Sequence, residues 1–207
     1  MTDLSKTYIF RMTHIENISH ILKNGITHVN SPNANPHFVP IGDSSLISSR
    51  STFVMPNGKV LGGYVPFYLG ARMPMLYVIQ NGFNGVKPTR AEDIVYCVSS
   101  IAEIVNHKLD FVFTDGHAID SFSGFYDSSD VDNIEQIIDL RAIRSKYWKD
   151  ENDLDLKRRK EAEFLIAGDV PVTAIVGYGV YNGNAKNRLI AFGVDERQIH
   201  IKTGFYF

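Results

Sequence analysis

Short runs of β-branched and aromatic residues recur along this chain. "YVPFYL", "MLYVIQ", "DIVYCV" and "FVFT" are each bounded by Gly, Pro, Asn or Ser, and "TYIFRM" near the N-terminus has the same texture. Runs of this length suit strands, so a β-sheet is the expected spine. The helical segments between them are few and short. In "THIENISHILKNG" Thr13 and Glu16 have the spacing of a capping box, and Gly25 stands where such a helix would close. Ser99 or Ser100 can cap "IAEIVNHK", and Asp130 can cap "VDNIEQIID". "PVTAIVGYGVY" and "IHIKTGFYF" supply further strands. Strands that adjoin strands point to an α+β class with a mixed or antiparallel sheet rather than regular βαβ winding. Between Asn30 and Arg50, Pro32, Pro36 and Pro40 break the chain into a long irregular segment, with a short helix expected from Asp43. Irregular segments of that length tend to carry function.

With 207 residues, 44% of them hydrophobic, one domain with a full core is expected. A net charge of −2 gives no global reason to bind nucleic acid, so any such surface must be local. The lone Cys97 lies in an apolar stretch and reads as a buried small residue in a reducing compartment. No apolar run approaches the ~20 residues of a membrane span, and the N-terminus lacks a basic segment followed by an apolar one. A cytoplasmic protein is expected.

Most chemical signatures are missing. The glycines of "GYGVYNG" have the wrong spacing for a dinucleotide fingerprint, and there is no P-loop. The absence of H-E-x-x-H and of paired cysteines argues against a zinc site, so no metal is expected. Three stretches remain. "FVFTDGHAIDSFSGFYD" carries Asp115 and His117 from a strand end into a Ser- and Phe-rich loop, which reads either as a tight turn or as a substrate loop. "GGYVPFYLGARMPMLYVI" holds Tyr64, Tyr68 and Arg72. The tyrosines suit a core, whereas a cation so close to apolar strands calls for an anionic partner. In "KRRKEAEFLI" four cations precede an apolar run headed by Glu163, and a carboxylate there needs either an ion-pair partner or a cleft to face. Glu161 would share its strand face if the segment is extended.

"YIFRMTHIENISHILKNGI", "YVPFYLGARMPMLY", "FVFTDGHA" and "KRRKEAEFLI" together resemble the DarT family of DNA ADP-ribosyltransferase toxins over residues 8 to about 176. The loop at 30–49 is variable, and the tail lies beyond the resemblance. The resemblance implies an ADP-ribosyltransferase fold with a split mixed sheet, and NAD+ as co-substrate. It also implies transfer to a base of single-stranded DNA, typically thymine, and a macrodomain antitoxin as partner. RNA, protein or water as acceptor would suit the same fold. By resemblance Glu163 is the catalytic carboxylate, assisted by Arg50, and His14 contacts NAD+ with Asn17 as companion. Tyr64 or Tyr68 would stack on nicotinamide, Arg72 would face the diphosphate or DNA, and His117 would sit at the base of the acceptor loop.

Charge offers an independent pointer to a nucleic-acid partner. Between Asp139 and Lys160, eight cations face five anions, a local +3. Tyr147 and Trp148 lie among them, and rings between cations suit single-strand binding. Arg158 and Arg159 are therefore expected to contact DNA phosphates, with Tyr147 and Trp148 under its bases.

Overall fold

The structure, a computed structural model, describes residues 2–207. Its strands are β1 (Tyr8–His14), β2 (Tyr64–Tyr68), β3 (Ile94–Ser100), β4 (Phe111–Thr114), β5 (Phe125–Tyr126), β6 (Glu163–Ala167), β7 (Gly177–Val180) and β8 (Ile199–Ile201). Among the described residues they form one sheet in the order β5-β4-β6-β2-β1-β3-β7-β8. Only β7 and β8 run parallel; the other neighbours are antiparallel. The α+β class and the mixed sheet agree with the sequence.

The join between β1 and β2 decides where a site can form. β1 is in register with β3 over its whole length, from Tyr8 opposite Ser100 to His14 opposite Ile94, whereas it meets β2 at a single pair, Phe10 opposite Tyr68. Toward His14 the two strands part. A side chain takes over where ladder hydrogen bonds are missing, as Arg11 Nη1 donates to the Pro66 carbonyl at 2.9 Å.

Apolar clusters cover both faces of the sheet. Ile9, Phe67, Val95, Phe113 and Phe164 belong to the larger cluster, and Leu165 with Tyr64, Leu61 and Met55 to another. Phe164 and Leu165 thus face opposite ways and are both buried. That is why "FLI" reads as a continuous apolar run rather than an alternating one.

Eight helices flank the sheet among the described residues: α1 (Ile18–Asn24), α2 (Ser44–Thr52), α3 (Pro74–Asn81), α4 (Ile101–Asn106), α5 (Ile134–Ile137), α6 (Leu140–Arg144), α7 (Leu156–Lys160) and α8 (Gly183–Ala191). Asp43 caps α2 and Ser100 caps α4, as expected. Four expectations are corrected. "MLYVIQ" is not a strand but α3, started by Pro74 at its first turn and closed by left-handed Gly82, with Leu76 and Ile79 buried at helical spacing. The segment after β1 is capped by the His14 imidazole, which accepts from the Glu16 N–H at 3.2 Å; Thr13 stays in β1. Asp130 makes no side-chain cap. "PVTA" is a 3-10 turn, so the strand expected there shortens to β7. α8, capped by Asn182, is a helix that the strand-like neighbouring segments masked.

Gly25 ends α1 at φ +76, ψ −170, and a Cβ there would lie 2.2 Å from the Val170 carbonyl oxygen. Gly58 has nearly the same φ but open space around it. Gly58→Ala should therefore cost only the left-handed penalty of about 1–2 kcal/mol, while Gly25→Ala should cost distinctly more because backbone must move. Denaturant midpoints of the two variants check this, and equal losses would contradict it.

Candidate active site

The strand register brings four of the expected site residues to one face. Residues directly opposed on antiparallel strands share a face, and side chains two apart on a strand share one too. Tyr68 lies opposite both Phe10 of β1 and Glu163 of β6. His14, four residues beyond Phe10, therefore opens onto the same side as Tyr68 and Glu163. Tyr64 shares that face but sits at the far end of β2, opposite Ala167 and buried among Met55, Leu61 and Leu165. Of the two tyrosines, Tyr68 is the one beside Glu163.

Glu163 is completely buried, and three groups hold it. Arg50, on α2, donates from Nη1 to Oε1 at 3.1 Å and brings Nη2 to 2.8 Å from Oε2. The Ala118 N–H donates to Oε1 at 3.0 Å. The Glu163 N–H in turn donates to the Thr114 hydroxyl at 3.1 Å, which donates to the Gly116 carbonyl. Although Arg50 Nη2 is close to Oε2, the two are not aligned for a hydrogen bond, and neither has another partner. One carboxylate oxygen is thus fixed while the other keeps accepting capacity. Burial alone would pull the Arg50 pKa down, but the charge of Glu163 and its hydrogen bond outweigh that and raise it.

"TDGHA" is a built loop rather than a self-bonded turn. Asp115 Oδ1 accepts from the Gly124 N–H at 2.8 Å and from Arg158 Nη1 at 3.0 Å. The His117 carbonyl accepts from Ser123, and the His117 N–H donates to the Arg158 carbonyl. His117 itself is half-buried; burial lowers its pKa more than the Glu163 charge raises it. Ala118, whose backbone N–H holds the carboxylate, was invisible in the sequence because any residue type can supply that group.

His14 lines a cavity of about 460 Å³ with Ile41, Ser44, Asn84, Arg90 and Asp93 among others. Burial lowers the His14 pKa despite the nearby Asp93 and Glu16, which favours a neutral imidazole. Asn17, expected beside the co-substrate, is instead spent on the chain that walls this cavity. Its Nδ2 donates to the Val39 carbonyl at 2.9 Å and its Oδ1 accepts from the Val39 N–H at 2.9 Å. Asn17 fixes the irregular segment in place.

The expected DNA contacts regroup. Arg158 pairs with Asp155 and Asp115, and Arg159 with Asp139, Asp153 and Asp155. Acids that the charge count merely subtracted are folded directly onto these two cations. Trp148 packs edge-on against Tyr77 and Phe207 rather than standing open, whereas Tyr147 is 74% exposed. Arg72, expected to have an anionic partner, lies over the Phe207 ring at 4.5 Å instead, with its Nε unpartnered, and it does not line the His14 cavity.

Glu161 is not on the strand. It follows α7 as its C-cap, 9% exposed, with Lys157 and Glu163 in its field. Burial pushes its carboxyl up to about 7 from the ordinary value of 4.5.

The family model described as "ssDNA thymidine ADP-ribosyltransferase, DarT" matches residues 10–207. A DNA ADP-ribosyl transferase of Escherichia coli O127:H6 is 32% identical over 98% of this chain and 94% of its own length. Thermus sp. 2.9 DarT in complex with ADP-ribosylated ssDNA superposes with a TM-score of 0.84 at 29% identity, covering 97% of this chain and 96% of that one. The same Thermus protein in complex with NAD+ gives a TM-score of 0.79 at 30% identity, over 97% and 98% of the chains. A Thermosipho africanus protein that fuses a DNA ADP-ribosyl transferase to a DNA ADP-ribosyl glycohydrolase is 27% identical over 76% of this chain and 38% of its own.

Because the folded pKa of Glu161 is raised, its charge opposes folding. The penalty is absent below about pH 4.5 and complete above about pH 7. Glu161→Gln should therefore gain stability over the parent as pH rises between those limits, and denaturant unfolding at pH 5 and pH 8 measures it. A difference independent of pH would contradict the assignment.

Proposed function

The chain belongs to the DarT family of DNA ADP-ribosyltransferases, and on that footing we propose that it transfers ADP-ribose from NAD+ to thymine in single-stranded DNA with Glu163 as catalytic carboxylate. The observation that carries the assignment is the carboxylate itself, a buried charge with one oxygen held and the other short of an aligned donor. The matching Thermus protein has been seen with NAD+ and with ADP-ribosylated ssDNA, which supports both substrates.

Breaking the bond between nicotinamide and the ribose C1′ leaves positive charge on the sugar, and nicotinamide departs with the electron pair. A fixed carboxylate at the ribose is worth most at that moment, since it interacts more strongly with the developing cation than with the ground state. Glu163 Oε2 accepts a ribose hydroxyl, while Arg50 and the Ala118 N–H stop the carboxylate from turning away. A ring nitrogen of thymine then forms the new bond to C1′ and gives up its proton, for which Glu163 is the nearest acceptor at the reaction centre. Tyr68 supplies the ring against which nicotinamide stacks. Its hydroxyl stays protonated, because burial and then the charges of Glu163 and Glu161 raise its pKa. Neutral His14, at the mouth of the cavity beyond, contacts the rest of NAD+, and His117 borders the place of the acceptor base.

The Thermosipho fusion of transferase and glycohydrolase supports reading the chain as the toxin of a toxin–antitoxin pair. Its antitoxin would be a macrodomain-type hydrolase that removes the modification. No helix of the described residues is long and apolar enough to cross a membrane, and we place the activity in the cytoplasm, where DNA and NAD+ are both present.

Incubation with NAD+ and a thymine-containing single-stranded oligonucleotide, followed by mass measurement, should show the added ADP-ribose. Glu163→Gln should lower the rate by ~10²–10³, the scale of one well-placed electrostatic group, without loss of folding. Transfer at the parental rate by Glu163→Gln would remove the mechanism.

A further inference from the structure

A second cavity, of about 430 Å³, opens near the Tyr8 end of β1. It has no residue in common with the cavity beside His14. Six residue steps of an extended strand separate Tyr8 from His14, roughly 20 Å at strand rise. The walls combine two kinds of surface. Phe10, Phe205, Leu69 and Ile143 are apolar, while Arg72, Arg144, Lys146 and Lys6 are cationic, with Glu135 the one acid among the lining residues.

The cations here differ from those of α7. Lys6 pairs with Asp3. Arg72, Arg144 and Lys146 have no carboxylate within ion-pairing distance among the described residues. Behind the wall Lys160 is completely buried, and its ammonium donates only to carbonyl oxygens of two lining residues, Ile143 at 3.1 Å and Ser145 at 2.6 Å. Burial, followed by the charge of Arg72, lowers its pKa to about 8. Arg72 holds a left-handed backbone at φ 57 and stacks on Phe207, with Nε buried and unpartnered. α6 is packed hard against this corner, for a Cβ on Gly70 would lie 2.7 Å from the Ile143 side chain. Arg72 and the buried Lys160 lie behind the exposed Arg144 and Lys146, and an anion entering the cavity between them relieves the repulsion among these cations.

We propose that this cavity is a phosphate-binding subsite separate from the cleft beside His14, and that it receives a phosphate of the single-stranded DNA. The proposal rests on the function argued above and gives the strand a path. The base to be modified reaches Glu163, while an adjoining stretch of backbone is held at Arg72, Arg144 and Lys146. Phe10 and Phe205 offer rings at the same place, the mixture of cation and aromatic that single strands favour. A free nucleotide or polyphosphate presents the same group, so the test must separate the two sources.

Arg144 and Lys146 are exposed at the rim, so the double substitution Arg144→Glu, Lys146→Glu should leave the fold intact. Three readouts are taken on parent and variant: anisotropy of a labelled single-stranded oligonucleotide across a salt series, thermal protection by pyrophosphate, and calorimetric binding of NAD+. The proposal expects at least a tenfold loss of oligonucleotide affinity and a fall of about 1.4 in the salt slope, at roughly 0.7 per phosphate contact. NAD+ affinity should stay unchanged. Loss of pyrophosphate protection with unchanged oligonucleotide binding would overturn the DNA assignment and leave a site for a free phosphate compound. Unchanged oligonucleotide and pyrophosphate binding would overturn the subsite altogether. A parent protein that binds pyrophosphate and NAD+ but no oligonucleotide would sink the DNA-directed function instead, while the cavity's affinity for phosphate stood.

Discussion

The contact between Arg50 and Glu163 is the one on which the rest of this molecule depends. With side-chain exposures of 16% and 1%, both charges have left water, and a buried charge without its partner typically costs several kcal/mol. Satisfying it ties together segments far apart in sequence. Glu163 must sit at the start of β6 beside Tyr68, α2 must bring Arg50 across, and the loop after β4 must turn so that Ala118 N–H faces the carboxylate. Asp43 starts α2 in the right place, and Asn17 pins the preceding irregular segment through Val39. A stretch full of proline and asparagine is thereby given one arrangement by a few specific bonds rather than by a core of its own.

β1 and β2 are paired at one position, with the Arg11 side chain bonded to the Pro66 carbonyl beyond it. Tyr68, Glu163 and His14 share one face of the sheet, Glu163 buried beneath Arg50, with His14 lining one cavity and Tyr8 and Phe10 the cationic one. The two regions also differ in how their charge is balanced. On α7, Arg158 and Arg159 are folded onto aspartates, which builds the loop that carries Ala118. Among the described residues Arg72, Arg144 and Lys146 are paired with no carboxylate, which sets them apart from the cations of α7.

What the sequence disclosed follows from which interactions are local. The runs that form β1, β2, β3 and β4, the Asp43 and Ser100 caps and the Gly25 terminus are written within a few residues, and these are found. Glu163 stood out because a carboxylate heading an apolar run has to be explained by something distant. "MLYVIQ" misled because an apolar run with little polar relief has no legible period; Pro74 and Gly82 at its ends were the better signal. The ion pairs of Arg158 and Arg159 were hidden for a related reason. Net charge over a segment says nothing about which acids fold back onto which cations. Asn17 bonds the backbone of a remote segment and Ala118 offers its own backbone N–H to a remote side chain, and no pattern in one sequence encodes that.

We propose that Arg50 orients the carboxylate for the transition state rather than merely keeping it buried or binding NAD+. Arg50→Lys retains the cation but loses the planar guanidinium that donates to Oε1 from Nη1 and keeps Nη2 beside Oε2. The most direct test compares its NAD+ dissociation constant with its single-turnover rate of transfer to a saturating thymine-containing oligonucleotide. The dissociation constant should stay close to the parent's and the rate should fall by about a hundredfold, the low end of the range for one mispositioned electrostatic group. A parental rate at saturating NAD+, with only binding weakened, would contradict it.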